Sequence, residues 1–251
     1  MLLNCGSLII DFHVEVGYNI YHDVCLNVED LINEMKRYNI SYAVITPAYG
    51  VSYICEFIRA NREIINITNK YKNLIGFAVV NPWVNEHAIN ELKEVLSKYK
   101  LRGVKLNPYL QGFSINHPIV YPIAECIVKY KVPLYIPSGY HPQTPLEIAD
   151  LADVFPELIV VMGFAGFSDF WMEVIPAMRK RDNIYADISC QTNIKSLKKA
   201  IEYVGSDRFL FASSLPYSSP KLELEKMKLL DLKEEDREAI LWKNAKRLLR
   251  L

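Results

Sequence analysis

The stretch LIIDFHVEVG, residues 8–17, has the period of two that is typical of a β-strand. One row of side chains, at the even-numbered positions, is apolar up to Val14. The opposite row begins apolar and ends in Asp11, His13 and Glu15. Because both rows begin apolar, the pattern predicts a strand that is buried on both faces. Three ionisable groups at the end of such a strand need partners, since burying a charge alone is costly.

Seven more short apolar runs follow this one, and longer amphipathic segments separate them. The eight predicted strands are residues 8–14, 41–46, 74–80, 102–106, 132–137, 158–163, 183–189 and 208–213. The predicted helices are residues 27–38, 52–69, 85–98, 118–130, 144–154, 168–180, 193–203, 219–229 and 233–251. The last helix begins with an acidic turn, KEED, which is a typical helix start.

This alternation of strands and helices places the chain in the α/β class, with a parallel sheet and helical crossovers. Eight such units close naturally into a (β/α)8 TIM barrel, and 251 residues suit one barrel. An open, doubly wound sheet is the alternative, although it usually has fewer strands. No linker, low-complexity segment or block of charge divides the sequence. We therefore expect one domain over residues 1–251 that ends in the 233–251 helix.

Composition and charge argue against several classes of partner. The 29 basic and 29 acidic residues cancel, so no charge excess indicates nucleic acid or an anionic membrane. The five cysteines are scattered without a C-x-x-C pair, and no signal peptide is evident at the N-terminus. We therefore expect a cytoplasmic protein with reduced thiols. The sequence does not decide whether the protein forms a homo-oligomer.

In a barrel of this type, the chemistry lies at the carboxyl ends of the strands. The residues that the pattern places there are His13, Glu15, Thr46, Asn81, Lys105, Asn107, Pro137, Ser138, Phe164, Asp187, Ser189, Ser213 and Ser214. Several of these strand ends lie in recognisable motifs. In chain order, the motifs are IIDFHVEVG (9–17), GVKLNP (103–108), VPLYIPSG (132–139), FPELIVVMGFAG (155–166), NIYADIS (183–189), GSDRFLFASSLPY (205–217) and NAKRLLRL (244–251).

Together, these motifs resemble those of the amidohydrolase-related metal-dependent hydrolases. The likeness is to the branch with the aminocarboxymuconate decarboxylase-like enzymes and the lactone hydrolases, and it runs in order over nearly the whole chain. The resemblance implies a TIM barrel that hydrolyses or decarboxylates a small carboxylate or amide substrate. It also implies a catalytic zinc or manganese ion, with an aspartate on the last strand as the base.

The metal-ligand positions are where this sequence departs from the resemblance. Of the two histidines implied on the first strand, His13 is kept and the second is Glu15. The positions after the fifth, sixth and eighth strands hold Pro137, Phe164 and Ser214. Two ligands on one strand rarely hold a catalytic divalent ion. We therefore expect no cofactor, or only a weakly bound metal, and little metal-dependent activity.

Three side chains are the candidates for any catalysis that remains: His13, Glu15 and Lys105. Lys105 has apolar neighbours on both sides in sequence, so alternation places it inside the barrel. It would either bind a substrate carboxylate or act as a base, or else form a salt bridge within about 4 Å of Glu15 or Asp11. His13 and Glu15 are likewise either an acid–base pair or buried polar groups that neighbours satisfy.

Six further side chains are candidates for substrate binding: Asn107, Tyr135, His141, Phe164, Asp187 and Ser214. Tyr135 and Phe164 would narrow a pocket or simply fill the core. His141, in the loop SGYHPQTP, would reach back as a replacement ligand or general acid, or else stay at the surface. Asp187 would bind substrate or bond a loop or helix end. Ser214 lacks the G-x-S-x-G context of a serine hydrolase.

The sequence leaves two classes of function open. The first is an enzyme-derived barrel, close to a pseudoenzyme, with a degraded metal site and little hydrolase or decarboxylase activity. The second is a non-catalytic protein that binds a small molecule or acts as a scaffold or partner subunit. An open polar cavity around His13 and Lys105 would favour the first class. A centre filled by Tyr135 and Phe164 would favour the second.

Overall fold

Nine strands form one mixed sheet in the computed structural model, which describes residues 8–179 and 181–251. Eight of them run parallel to their neighbours and correspond to the eight predicted strands. They are β1 (Ile10–Asn19), β3 (Tyr42–Pro47), β4 (Leu74–Val79), β5 (Gly103–Lys105), β6 (Leu134–Pro137), β7 (Val160–Gly163), β8 (Ile184–Asp187) and β9 (Phe209–Leu210). The pattern missed β2 (Val24–Leu26), which runs antiparallel to the end of β1.

The sheet curls into a barrel because β1 is bonded on both sides. On one side, β1 pairs with β3 in parallel. On the other side, it meets the segment that follows β9. There the Phe12 N–H donates to the Phe211 carbonyl at 2.9 Å, and the Ser214 N–H donates to the His13 carbonyl at 3.0 Å. The predicted (β/α)8 barrel is confirmed, and the alternative of an open sheet is not formed.

Helices follow the strands and pack on the outer face of the sheet, where the sequence predicts them. They are α1 (Val28–Arg37), α2 (Phe57–Lys70), α3 (Glu86–Ser97), α4 (Pro108–Gln111), α5 (Tyr121–Tyr130), α6 (Pro145–Val154), α7 (Val174–Met178), α8 (Ile194–Val204), α9 (Pro220–Leu229), α10 (Glu234–Glu238) and α11 (Asn244–Leu249). Thr144 and Glu147 form a capping box that fixes the start of α6. The short helix α4 was not predicted.

The predicted C-terminal helix, residues 233–251, is divided into three segments. Between α10 and α11 lies a π-helical turn, Ala239–Lys243. Leu248 and Leu249 of α11 pack in the same apolar cluster as Ile10, the first residue of β1. The C-terminal helix therefore covers the end of the barrel at which β1 begins, and leaves the other end to the loops that follow the strands.

A β-bulge in β1 decides which side chains face the barrel interior. The register with β3 shifts after Asp11, where β1 holds one residue more than its partner. Phe12 packs edge-on against Phe77 in the interior, and the next residue, His13, stacks on Tyr135. The expectation of one continuous polar row along β1 is therefore wrong. The bulge lets adjacent residues of β1, one apolar and one polar, both face inward.

Two parts of the chain lie outside the described residues. Residues 1–7 include Cys5 and the terminus at which the sequence shows no signal peptide, and Lys180 ends the predicted helix 168–180. The extent of the domain, residues 1–251, stays a prediction. In the two described ranges, we find no helix with the length and apolar character needed to cross a bilayer.

Candidate functional site

Three candidate side chains meet inside the barrel at the carboxyl ends of β1 and β5. His13 and Glu15 project inward from β1 after the bulge, and Lys105 is the last residue of β5. The Lys105 ammonium contacts the Glu15 carboxylate, and its Nζ lies 2.7 Å from His13 Nε2. His13 Nε2 lies 3.5 Å from Glu15 Oε1. All three side chains are buried, and the predicted salt bridge of Lys105 is present. We name these three residues the central cluster.

Aromatic rings enclose the central cluster. The His13 ring stacks on Tyr135 with the ring centroids 4.5 Å apart, and Phe164 meets His13 edge-on at 5.6 Å. The Lys105 Nζ lies 4.7 Å from the ring centroid of Tyr49 and 5.3 Å from that of Tyr135. Such cation–π contacts stabilise a buried ammonium. Tyr135 is 1% exposed and Phe164 is 9% exposed, so these candidates fill the centre of the barrel.

Sequence reasoning missed three residues around Glu15 and Lys105. The Tyr217 hydroxyl donates to Glu15 Oε2 at 2.5 Å and accepts a hydrogen bond from the Asn19 amide at 2.5 Å. Tyr49 supplies the second ring over the ammonium. Asn19 ends β1, and Tyr49 and Tyr217 lie in loops, so a position just beyond a predicted strand was the available signal. A rule about strand ends does not say which loop side chain turns inward, so the signal was too weak to select them.

Burial and mutual contacts set the charges of the central cluster. Burial alone would raise the pKa of Glu15, but the charge of Lys105 and the hydrogen bond from its ammonium hold that pKa at about 2. Burial lowers the pKa of Lys105, and contact with Glu15 opposes that shift. Burial and the charge of Lys105 lower the pKa of His13. The contact between Lys105 and Glu15 has the geometry of an ion pair, and the direction of the His13 shift favours a neutral imidazole beside it.

Asp187, a candidate for substrate binding, is held by its neighbours. Its Oδ2 accepts a hydrogen bond from the Tyr135 hydroxyl at 2.6 Å. Its Oδ1 accepts bonds from the Ser189 N–H at 2.8 Å and the Ser189 hydroxyl at 2.5 Å. Asp11 is held similarly, since its Oδ1 accepts a bond from the Ser213 N–H at 2.8 Å, and burial raises its pKa to about 7. Both carboxylates thus organise the strand ends around the cluster.

Three other candidates do not contribute side chains to the central cluster. Asn107 is buried, but its side chain caps the start of α4. The His141 side chain is 73% exposed, and its Nδ1 lies 3.4 Å from Glu147 at the capped start of α6. Its loop is held there, so of the two positions that the sequence left open for His141, the structure shows the one at the surface. Ser214 is buried beside β1, and its hydroxyl has no hydrogen-bond partner within the described part of the chain.

The donor atoms of the central cluster do not fit a divalent metal ion. The His13 nitrogen and the Glu15 carboxylate that would serve as ligands both contact the Lys105 ammonium. Pro137 and Phe164, at two further matched positions, have no side-chain lone pair to donate. Among residues 8–179 and 181–251, no three His, Cys, Asp or Glu side chains lie together as a metal site requires.

The fold and the strand-end motifs define a TIM-barrel protein of the amidohydrolase type. A family model described as Amidohydrolase matches residues 25–251 of the chain. The chain therefore belongs to the amidohydrolase family, as the sequence motifs predict.

Relatives and solved structures of this fold include several decarboxylases. The γ-resorcylate decarboxylase of Polaromonas sp. (strain JS666) is 24% identical over 232 residues, which cover 70% of each chain. The structure of 5-carboxyvanillate decarboxylase from Sphingomonas paucimobilis has a TM-score of 0.83 at 15% identity, over 98% of this chain and 100% of that chain. A dihydroxybenzoic acid decarboxylase from Polaromonas sp. JS666, solved with bound manganese and 2-nitroresorcinol, has a TM-score of 0.80 at 16% identity over 98% of each chain. The two structural likenesses show the shared fold.

Proposed function

We propose that this amidohydrolase-family protein does not carry out the metal-dependent decarboxylation or hydrolysis of its relatives, and acts instead as a non-catalytic binding or scaffold protein. One observation carries the proposal: the two side chains that remain at metal-ligand positions, His13 and Glu15, both hold the Lys105 ammonium. A metal ion placed between them would have to displace a buried ion pair.

The filling of the barrel centre supports the same proposal. His13, Lys105 and Tyr135 are each at most 1% exposed, whereas catalysis on a small molecule needs a cavity that admits it. With the centre closed, a binding role falls to the outer surface of the barrel.

Turnover assays test the proposal. The purified protein is incubated with Mn²⁺ or Zn²⁺ and with γ-resorcylate or 5-carboxyvanillate, and carbon dioxide and the aromatic product are measured. We expect no turnover above that of the His13→Ala variant, while the Polaromonas γ-resorcylate decarboxylase serves as the positive control. Metal-dependent turnover that the His13→Ala substitution abolishes would contradict the proposal.

A second candidate function, metal-independent acid–base chemistry on a small carboxylate, is favoured by a different observation. In the described ranges, His13 Nδ1 and the hydroxyls of Tyr49 and Ser214 are buried without hydrogen-bond partners. A small polar ligand would satisfy such atoms. Incubation with small aromatic carboxylates in the presence of EDTA, with the products measured, separates the two candidates. Turnover by the wild type that persists with EDTA and is lost in Ser214→Ala would favour this second function.

We also propose a cytoplasmic location, without nucleic-acid or membrane partners. Balanced charge and the free thiols of Cys25, Cys55, Cys126 and Cys190 support it. Cell fractionation with an antibody to the chain measures the location, and light scattering measures whether the protein forms the homo-oligomer that the sequence leaves open.

A further inference from the structure

A second buried lysine shows what an ordinary ion pair looks like in this chain. Lys226 contacts Glu223, three residues earlier on α9, and its Nζ lies 3.3 Å from the Gln191 carbonyl oxygen. Its partners are therefore oxygen atoms alone among the contacts of the described residues. Lys105 differs, because a nitrogen lone pair, a carboxylate and two aromatic faces all meet its ammonium.

The contact between Lys105 and His13 fixes the role of the imidazole. An ammonium has three N–H donors and no acceptor, so the 2.7 Å contact requires His13 Nε2 to accept. The imidazole lone pair and the Glu15 carboxylate thus converge on one nitrogen atom. These are two of the donor types that bind divalent ions in proteins. The faces of Tyr49 and Tyr135, each negative, surround the same atom from other directions.

The net charge of the groups that contact the Lys105 ammonium suits a monovalent cation. Glu15 is the one carboxylate, among the described residues, that contacts the Lys105 ammonium, and its second oxygen is already bonded by the neutral Tyr217 hydroxyl. Asp187 also acts on Lys105 through its charge, but its oxygens are hydrogen-bonded elsewhere and do not contact the ammonium. The contacts therefore place one negative charge against one ammonium, and a divalent ion in the same position would bring one positive charge more than Glu15 balances.

We propose that the Lys105 ammonium is the resident cation of the barrel centre, in the place that the family resemblance gives to a metal ion. The groups around it, from His13, Glu15, Tyr49 and Tyr135, form a site that is selective for a single alkylammonium group. In the wild type, the side chain of Lys105 is covalently attached to β5, and its ammonium keeps that site filled. This inference rests on the proposed function in one respect, since it requires that no metal ion occupies the same place.

Chemical rescue of Lys105→Ala tests the inference. The substitution removes three methylene groups and the ammonium, which is the size of n-propylammonium. We expect the Tm to fall by roughly 10 °C, because a buried carboxylate loses its partner. We expect n-propylammonium chloride to raise the Tm again in a saturable way and to recover most of the loss. The neutral 1-propanol and Mn²⁺ are expected to recover little of it.

Lys226→Ala is the matched control, since it also removes a buried lysine from a carboxylate. We expect n-propylammonium to change its Tm no more than that of the wild type. Equal rescue of Lys105→Ala by 1-propanol or by Mn²⁺, or equal rescue of both variants by the amine, would overturn the inference.

If Lys105→Ala does not fold, a refolding experiment replaces the thermal one. The variant is refolded from urea with n-propylammonium or with 1-propanol, and the soluble yield is measured. A higher yield with the amine alone supports the inference, and equal yields overturn it. Failure of the proposed function would appear elsewhere, as metal-dependent turnover by the wild type, so the two failures are distinguishable.

Discussion

The barrel interior has two layers that are equally buried but are stabilised in different ways. The apolar layer, near the start of the strands, consists of Ile10, Phe12, Phe77, Val161 and Leu210. The polar layer, near their carboxyl ends, consists of His13, Glu15, Lys105, Tyr135 and Asp187. Packing in the apolar layer is non-directional, so the loss of one group costs mainly its own contacts. In the polar layer, each group satisfies another, so the loss of one leaves a buried charge behind.

Both layers use glycine to admit a large ring. A Cβ atom at Gly103 would collide with the Phe77 ring in the apolar layer, and one at Gly163 would collide with the Tyr135 hydroxyl in the polar layer. The two layers therefore share the same steric solution, and what separates them is the chemistry of the side chains. Substitutions in each layer measure that difference.

The largest expected effect is that of Lys105→Met. It leaves the Glu15 carboxylate buried without its partner, so we expect a loss of about 3–5 kcal/mol in the free energy of unfolding. The double variant Lys105→Met, Glu15→Gln neutralises both groups and is expected to be clearly more stable than the single variant. Urea denaturation of the four proteins in this cycle measures the coupling. Additive effects of the two substitutions would show that the side chains are solvated.

Acidification is expected to remove the contribution of the Glu15 charge. The folded pKa of Glu15 is about 2, below its ordinary 4.5, so its charge contributes stability that is complete above about pH 5 and is lost as the pH falls toward 2. The stability difference between the wild type and Glu15→Gln is therefore expected to shrink in this window. Urea denaturation at a series of pH values measures it, and a difference that stays constant would argue against the ion pair.

A smaller effect is expected of Tyr135→Phe. The substitution keeps the ring stacked on His13 but removes the hydroxyl that donates to Asp187, so we expect a loss of about 1–3 kcal/mol. Tyr53→Phe is the control, because the Tyr53 hydroxyl donates only a longer bond, 3.3 Å, to the Pro47 carbonyl. Thermal or urea unfolding compares them. An equal loss of unfolding free energy in both variants would show that the hydroxyl of Tyr135 in the polar layer matters no more than that of Tyr53.

The smallest effect is expected in the apolar layer, where Ile10→Val removes one methyl group. We expect a loss of about 0.5–1.5 kcal/mol, from lost contacts alone. The loss should be the same at neutral and at acidic pH, because no ionisable group depends on Ile10. A strong pH dependence of this loss, measured by urea denaturation, would show that the two layers are not independent.

The apolar layer and the barrel itself could be predicted from the sequence, because the strand pattern repeats along the chain. Lys105 could also be placed inside the barrel, since alternation within β5 is regular. The bulge in β1 could not be predicted, because one extra residue leaves the apolar pattern of 8–17 almost unchanged. As a result, Phe12, which regular alternation places on the face opposite His13, was not expected to face the interior as well.

Loop side chains were the hardest to place from the sequence. Tyr217 bonds Glu15 from the far end of the chain, and no local pattern marks such a contact. His141 is an easier case, because its place at the surface was one of the two alternatives that the sequence left open. Its Nδ1 lies near Glu147 of the capping box, and the Thr144–Glu147 pattern of that box is visible in the sequence.

The metal content of protein purified without chelator tests most directly the claim that an ammonium holds the centre of the barrel. Elemental analysis is made on the wild type and on His13→Ala, before and after dialysis against manganese. We expect zinc, manganese and iron far below one equivalent per chain in both proteins. About one equivalent in the wild type, lost in His13→Ala, would show a working metal site and overturn the claim.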